Sequence, residues 1–297
     1  MKKRGVASFK MSRGFLGYLF ICAIIMVVPI WSLVELTGFF RYDAGRKATA
    51  LPAFQTRAAD ANKPAPELFN EPLLSVTYDD GWESIYSQAM PILQRNGIRT
   101  TQYVLSGVEK DEQYMSWDQI AAMQTAGHEI ACHSVSHPDL TTLDDKHLRE
   151  QIKGCKTDLT TRFGSVTNFA SPYGAETGHT VNEISKVFAS QRNANGELGD
   201  GITDEDVNTR ANFSRYDIIG ITVRGDTTID QLKAVLEYAK AHNAWVVLTY
   251  HQADDEDSKF ALDITKMTKQ LEFLSKSDIR IVTVNQALAS LDRKGAK

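Results

Sequence analysis

From Leu73 onward, short runs rich in β-branched and aromatic residues alternate with stretches of helical periodicity, which restricts the chain to parallel strands covered by helices. LLSVTY (73–78) precedes a helical pattern over about 83–96, TTQYVL (100–105) one over 117–126, and HEIACH (128–133) a longer one over about 144–163. TNFAS (167–171) is followed by a helix near Val181. Residues 232–242 read as helix, AWVVLTY (244–250) is a continuous apolar run, and a last helix, strand and helix occupy 263–291. About seven such units with no second composition break predict an α/β fold, a single (β/α) barrel rather than an open doubly wound sheet. The acidic, Gly-rich stretch 195–209 reads as a rim loop. No GxGxxG or GxxxxGK[ST] occurs, which removes the main support for a Rossmann or P-loop reading.

The 42% apolar and 24% charged fractions exclude a disordered or low-complexity chain. Three cysteines, with Cys22 inside an apolar run, exclude a disulfide framework and a zinc ribbon; Cys132 and Cys155 are free to pair or not. The net charge of −4 hides an asymmetry. Residues 1–47 hold eight Lys/Arg against Glu35 and Asp43, a net of +6, which leaves −10 on the remainder. An acidic body repels phosphate backbones, so no nucleic-acid partner is expected, and neutral or cationic substrates fit better.

From Phe15 to Val34 the chain carries no charge for twenty residues, the length of a transmembrane helix. The basic residues before it place the N-terminus in the cytoplasm and the body outside. A cleaved signal is the alternative, but the first A-x-A after the run, Ala48-Thr49-Ala50, lies beyond Arg41, Arg46 and Lys47. The expected organisation is a basic tail (1–14), a transmembrane signal anchor (15–36), an Ala- and Pro-rich linker (37–70) and a folded domain (71–297). The protein is then held in the cell membrane by a single pass, with secretion after cleavage as the alternative.

Active sites of parallel α/β folds form at the C-terminal strand ends. Here the first strand ends in Asp79-Asp80-Gly81, the third in His133 with His137 four residues on, the fourth in Ser171-Pro172-Tyr173-Gly174, and the late apolar strand in His251. Asp-Gly is also a common turn, but a strand end followed by Gly can bring both carboxylates to one site. On a helical turn, His133 and His137 would share one side. Two imidazoles and one carboxylate suit hydrolytic zinc or non-haem iron. The second carboxylate favours a hydrolase, with Asp79 as general base and His251 as general acid.

The body resembles the polysaccharide deacetylases related to NodB, carbohydrate esterase family four, over about 72–291. Thr77-Tyr78-Asp79-Asp80-Gly81 is similar to the first motif, T-F/Y-D-D-G, and His133-Ser134-Val135-Ser136-His137 to the second, H-S/T-x-x-H. Trp117 to Ile130 resembles the usual lead-in, Phe169 to Gly174 the third motif, and Leu248-Thr249-Tyr250-His251 the fifth. The resemblance implies a distorted (β/α) barrel of about seven parallel strands. It implies a divalent metal, Zn2+ first and Co2+ as an alternative, on Asp80, His133 and His137. It further implies Asp79 as the base, His251 as the acid protonating the departing amine, and the backbone N–H of Tyr173 at the oxyanion.

The implied activity is metal-dependent hydrolysis of N-acetyl groups on an extracytoplasmic N-acetylglucosamine glycan (poly-N-acetylglucosamine, peptidoglycan or chitin-like). The alternatives are an O-acetyl polysaccharide esterase of acetylxylan type and a catalytically lapsed glycan-binding module. One departure stands out: Ala170 occupies the place of an Arg that orients the base aspartate in many members. Members acting on poly-N-acetylglucosamine tolerate a similar change, which draws the substrate expectation towards that polymer. Arg215 and Arg224 are candidate replacements, and Asp217, Asp226 and Asp254 are candidates to orient the acid histidine.

Overall fold

Strands form chiefly where the sequence concentrates β-branched and aromatic residues. In the computed structural model, which describes residues 63–199, 201–253 and 258–295 with Phe54, Arg57 and Asp60, they are β1 (Leu73–Tyr78), β2 (Thr101–Val104), β3 (Glu129–Cys132), β4 (Asn168–Ala170), β5 (Ser190–Arg192), β6 (Ile221–Thr222), β7 (Trp245–Tyr250) and β8 (Arg280–Ile281). The helices between them are α1 (Met90–Arg95, led in by a π-helical turn at Ile85–Ala89), α2 (Trp117–Thr125), α3 (Asp145–Phe163), α4 (Gly178–Ser185), α5 (Ile229–His242), α6 (Ile264–Ser275) and α7 (Val284–Gly295). Their starts are written in the sequence. Ser116, Thr177 and Thr228 close capping boxes at α2, α4 and α5, and Asp144 and Asp263 cap α3 and α6. The expected basic tail and membrane span lie outside the described residues, and among the described residues no helix is long and apolar enough to cross a membrane.

All ladders are parallel, in the order β5-β4-β3-β2-β1-β7-β6. Strand β1 lies against β7 along its whole length. Its other edge is shared between β8 at Leu73 and Leu74 and β2 at Thr77 and Tyr78, so β8 wedges in at the base. Isolated bridges tie β5 to the segment before β6 (Arg192↔Ile218) and the segment after β5 to β6 (Gly196↔Ile221), with no ladder between the two outer strands among the described residues. The seven-strand run is thus a half-barrel, consistent with the distorted barrel expected.

Strand alternation sorts side chains into two layers. Leu74, Val76, Tyr78, Val104, Ile130, Cys132, Phe169, Val246, Leu248 and Tyr250 pack under the helices. Leu73, Tyr103, Ala131, Ala170, Trp245 and Val247 form the second cluster, on the inner face. Residues 245–248 are 0% exposed; burying each Val or Leu of that run contributes roughly 1.5–3 kcal/mol. Outward-facing Cys132 is disulfide-bonded to Cys155 of α3 with Cα atoms 6.2 Å apart, the pairing that the sequence left open. Leu68 and Phe69, placed in the linker by sequence, are buried in the inner cluster. Arg57 is tied to the carbonyls of Ser275, Ser277 and Ile279 at the end of α6.

Candidate active site

Extending the strand alternation by one step sets the site. Inner-face positions on β1 (Leu73, then 75 and 77) lead to Asp79, those on β3 (Ala131) to His133, and those on β7 (Trp245, Val247, then 249) to His251. Asp79 and His251 are brought level by the backbone bond from Asp79 N–H to the Tyr250 carbonyl, 3.0 Å. Asp80 would point outward by the same rule. It instead adopts φ 70°, and Gly81 follows at φ 85°, so the chain turns and the second carboxylate swings back beside the first. A Cβ on Gly81 would lie 3.2 Å from Val104 Cγ1, a second reason for glycine there.

The two histidines converge without the helical turn that their spacing suggested. Ser134 and His137 are left-handed (φ 73° and 61°), and the Ser134 hydroxyl accepts from the His137 N–H at 3.0 Å. Gln151 of α3 receives the N–H groups of Val135 and Ser136 on one oxygen, at 3.0 and 3.1 Å, which anchors the turn. Among the described residues, four of the six non-glycine residues with positive φ (Asp80, Ser134, His137, Tyr173) belong to this one region. Backbone strain concentrated in this way is typical of functional sites.

Asp80 Oδ1 faces His133 Nε2 at 3.5 Å and His137 Nε2 at 3.4 Å. It is buried and has no hydrogen-bond partner among the described residues. Ligand atoms of these three residues lie within 4.8 Å of one another. His133 Nδ1 is 2.9 Å from the Ala170 carbonyl, which can only accept, so Nδ1 carries the proton and Nε2 presents its lone pair. Burial lowers the His133 pKa, outweighing the neighbouring Asp79 and Asp80 charges, and so favours the neutral ligand form. A buried, unpartnered carboxylate oxygen opposite two imidazole nitrogens is a donor set that fits a divalent cation.

Asp79 stands beside this set, with Oδ2 3.8 Å from His133 Nε2 and 2.5 Å from Arg192 Nη2. Burial pushes its carboxyl up, but the charges of Arg192, His133 and His251 and the Arg192 hydrogen bond together hold it below the ordinary value. Its Oδ1 has no hydrogen-bond partner among the described residues and is free to take a proton. Arg192 is the residue that sequence reasoning missed. It lies on the three-residue strand Ser190-Gln191-Arg192, whose polar composition gave no strand signal, and it pairs in register with Ala170. The guanidinium lies over the Tyr103 ring at 5.1 Å and donates to the Asn193 carbonyl. Gly220 makes room for the stem, since a Cβ there would be 2.8 Å from Arg192 Cδ.

Neither candidate replacement named from sequence reaches Asp79: Arg215 pairs with Asp292, and Arg224 is exposed. His251 packs on Phe260 with ring centroids 5.2 Å apart, and its Nδ1 has no hydrogen-bond partner among the described residues. Asp217 bonds Asn193 instead, and Asp254 lies outside the described residues. Tyr173 (φ 61°) sets its ring edge-on against His137 at 4.5 Å and is 69% exposed, so it stands at the mouth of the site.

Residues 68–188 match the family model described as polysaccharide deacetylase. Over this stretch the chain is similar to the polysaccharide deacetylase domain. The matched region holds Asp79, Asp80, His133, His137 and Tyr173, while Arg192 and His251 lie beyond it. A chitin deacetylase of Pestalotiopsis sp is 32% identical over 98 residues, 33% of this chain and 33% of that protein. A bifunctional xylanase/deacetylase of Pseudobutyrivibrio xylanivorans is 28% identical over 124 residues, 41% of this chain and 20% of that protein. The chain therefore spans a third or less of the length of these curated relatives. The solved peptidoglycan deacetylase PdaC from Bacillus subtilis is 19% identical with a TM-score of 0.51, over 76% of this chain and 95% of that one, a likeness of fold.

Proposed function

We propose that the protein is a metal-dependent hydrolase that removes N-acetyl groups from an extracytoplasmic glycan containing N-acetylglucosamine. The observation that carries this reading is the buried, unpartnered Asp80 Oδ1 opposite two imidazole Nε2 atoms, with a second carboxylate held at its side by Arg192. Asp80, His133 and His137 would hold a divalent cation, Zn2+ first and Co2+ as an alternative. Such an ion supplies Lewis acidity, activating water and polarising the acetyl carbonyl. Asp79 Oδ1 takes the proton from the attacking water, and Arg192 keeps that carboxylate charged and aimed. His251 gives a proton to the departing nitrogen, and the Tyr173 backbone N–H faces the developing oxyanion. No covalent acyl-enzyme is required.

The relatives named chitin deacetylase and peptidoglycan deacetylase support an amide substrate, and the xylanase/deacetylase keeps an O-acetyl esterase as the second reading. An extracytoplasmic body held by a membrane-spanning segment at 15–36 is supported by the uncharged run, its basic flank and the Cys132–Cys155 disulfide, a bond that persists in oxidising compartments. The test is acetate release from N-acetylglucosamine oligomers and from acetylxylan, with Zn2+ and with a chelator. Metal-dependent release from the oligomers is expected. Release from acetylxylan alone would establish the esterase reading, and glycan binding without turnover of either would establish the lapsed module.

A further inference from the structure

Trp82 folds back over the metal-ligand carboxylate two residues before it. Its indole N–H donates to Asp80 Oδ2 at 2.9 Å, while Asp80 Oδ1 is the oxygen turned to the two imidazoles. The two oxygens of one carboxylate thus have separate tasks. The indole itself is fixed from outside the turn. Trp82 forms an antiparallel bridge with Tyr114, flanked by hydrogen bonds from Glu83 N–H to the Gln113 carbonyl and from Met115 N–H to the Gly81 carbonyl, each 2.8 Å. The Trp82 and Tyr114 rings stack with centroids 4.6 Å apart and planes 20° apart. The left-handed pair Asp80 and Gly81 brings the indole round to the carboxylate, so backbone, stack and hydrogen bond select the same geometry.

We infer that Trp82 is a positioning residue that makes Asp80 a one-oxygen ligand: the indole N–H occupies Oδ2, stops the carboxylate from rotating to chelate with both oxygens, and so keeps a coordination position open for water and substrate. This rests on the metal-dependent reading above. An indole N–H can only donate and cannot itself bind a cation, so its contribution is confined to orienting the ligand. Tyr114 acts one step further out by holding the ring.

The experiment titrates the purified protein with Zn2+ or Co2+ alone, against a chromophoric chelator, for the wild type, Trp82→Phe and Tyr114→Ala. Circular dichroism and melting of each metal-free protein are followed in parallel. Trp82→Phe keeps a stacking ring and loses only the donor. Its metal affinity is expected to fall about tenfold or more, the usual cost of losing an outer partner of a ligand, with an unchanged metal-free fold and an altered visible spectrum of the cobalt-loaded protein. Tyr114→Ala is expected to weaken binding by less, in the same direction. Affinity within twofold of wild type in a folded Trp82→Phe protein overturns the inference. Should that variant not fold, Tyr114→Ala decides in the same way. A wild type that binds neither ion overturns the metal reading itself, a result distinct from a wild type that binds and a variant that binds equally well.

Discussion

In the proposed reaction Asp79 is the base, its unpartnered Oδ1 left for proton transfer and its Oδ2 anchored by Arg192. Asp79→Asn is expected to lower acetate release by roughly 10²- to 10⁴-fold while Zn2+ binding, measured by titration, persists. Arg192 is 0% exposed, and removing one partner of such a buried pair costs about 3–5 kcal/mol. Arg192→Ala should therefore lower the denaturant midpoint markedly. Burial raises the Asp79 carboxyl pKa and Arg192 is the leading influence that lowers it. Without the guanidinium, the acid limb of the activity profile should move to higher pH, and Arg192→Lys should restore part of the shift. An unmoved limb in a folded Arg192→Ala protein would remove Arg192 from the mechanism.

At the level of single elements, β1, β3, β4 and β7 were legible because each couples a strand-forming run to a polar end, and those ends make up the candidate site, while β2 was legible from its β-branched and aromatic run alone. Strands β5 and β6 were not, since three and two residues carry no period and β5 is polar throughout. The loop after β4 adds a pH dependence. Burial first, then the neighbouring Asp217 charge and hydrogen bond, push Glu176 up from 4.5 to about 7. Between these values the folded protein keeps a proton that the unfolded chain has released, so this group makes stability fall as pH rises from about 4.5 to about 7. Half-exposure damps the size of the effect. Melting temperatures across that range should fall less steeply in Glu176→Gln than in wild type, and parallel curves would remove Glu176 as the cause. Between β3 and α3, the disulfide closes a separation of 23 residues. Its reduction should cost about 3 kcal/mol on the loop-entropy scale, read as a lower melting temperature in thiol reductant that Cys155→Ser reproduces without it.

Across the whole molecule, the charge split sets an expectation for the substrate. With −10 carried beyond residue 47, partly deacetylated, cationic glucosamine polymer should be drawn to the body while uncharged oligomers are not. Raising salt from about 10 to 150 mM, which shortens the screening length from about 30 to 8 Å, should raise KM for the cationic polymer and leave the neutral oligomer unchanged. The shared rung of Ala170 and Arg192 has a different reach. In a parallel sheet, neighbours across a rung project to the same face, so either can present a side chain to the same point, although 22 positions separate them along the backbone. A scan that walks the chain meets alanine at position 170, whereas one that steps sideways through the hydrogen-bond ladder meets a guanidinium paired with Asp79. Chains set aside as defective because one column of a motif reads alanine can thus be re-examined strand by strand for a charge that has moved next door.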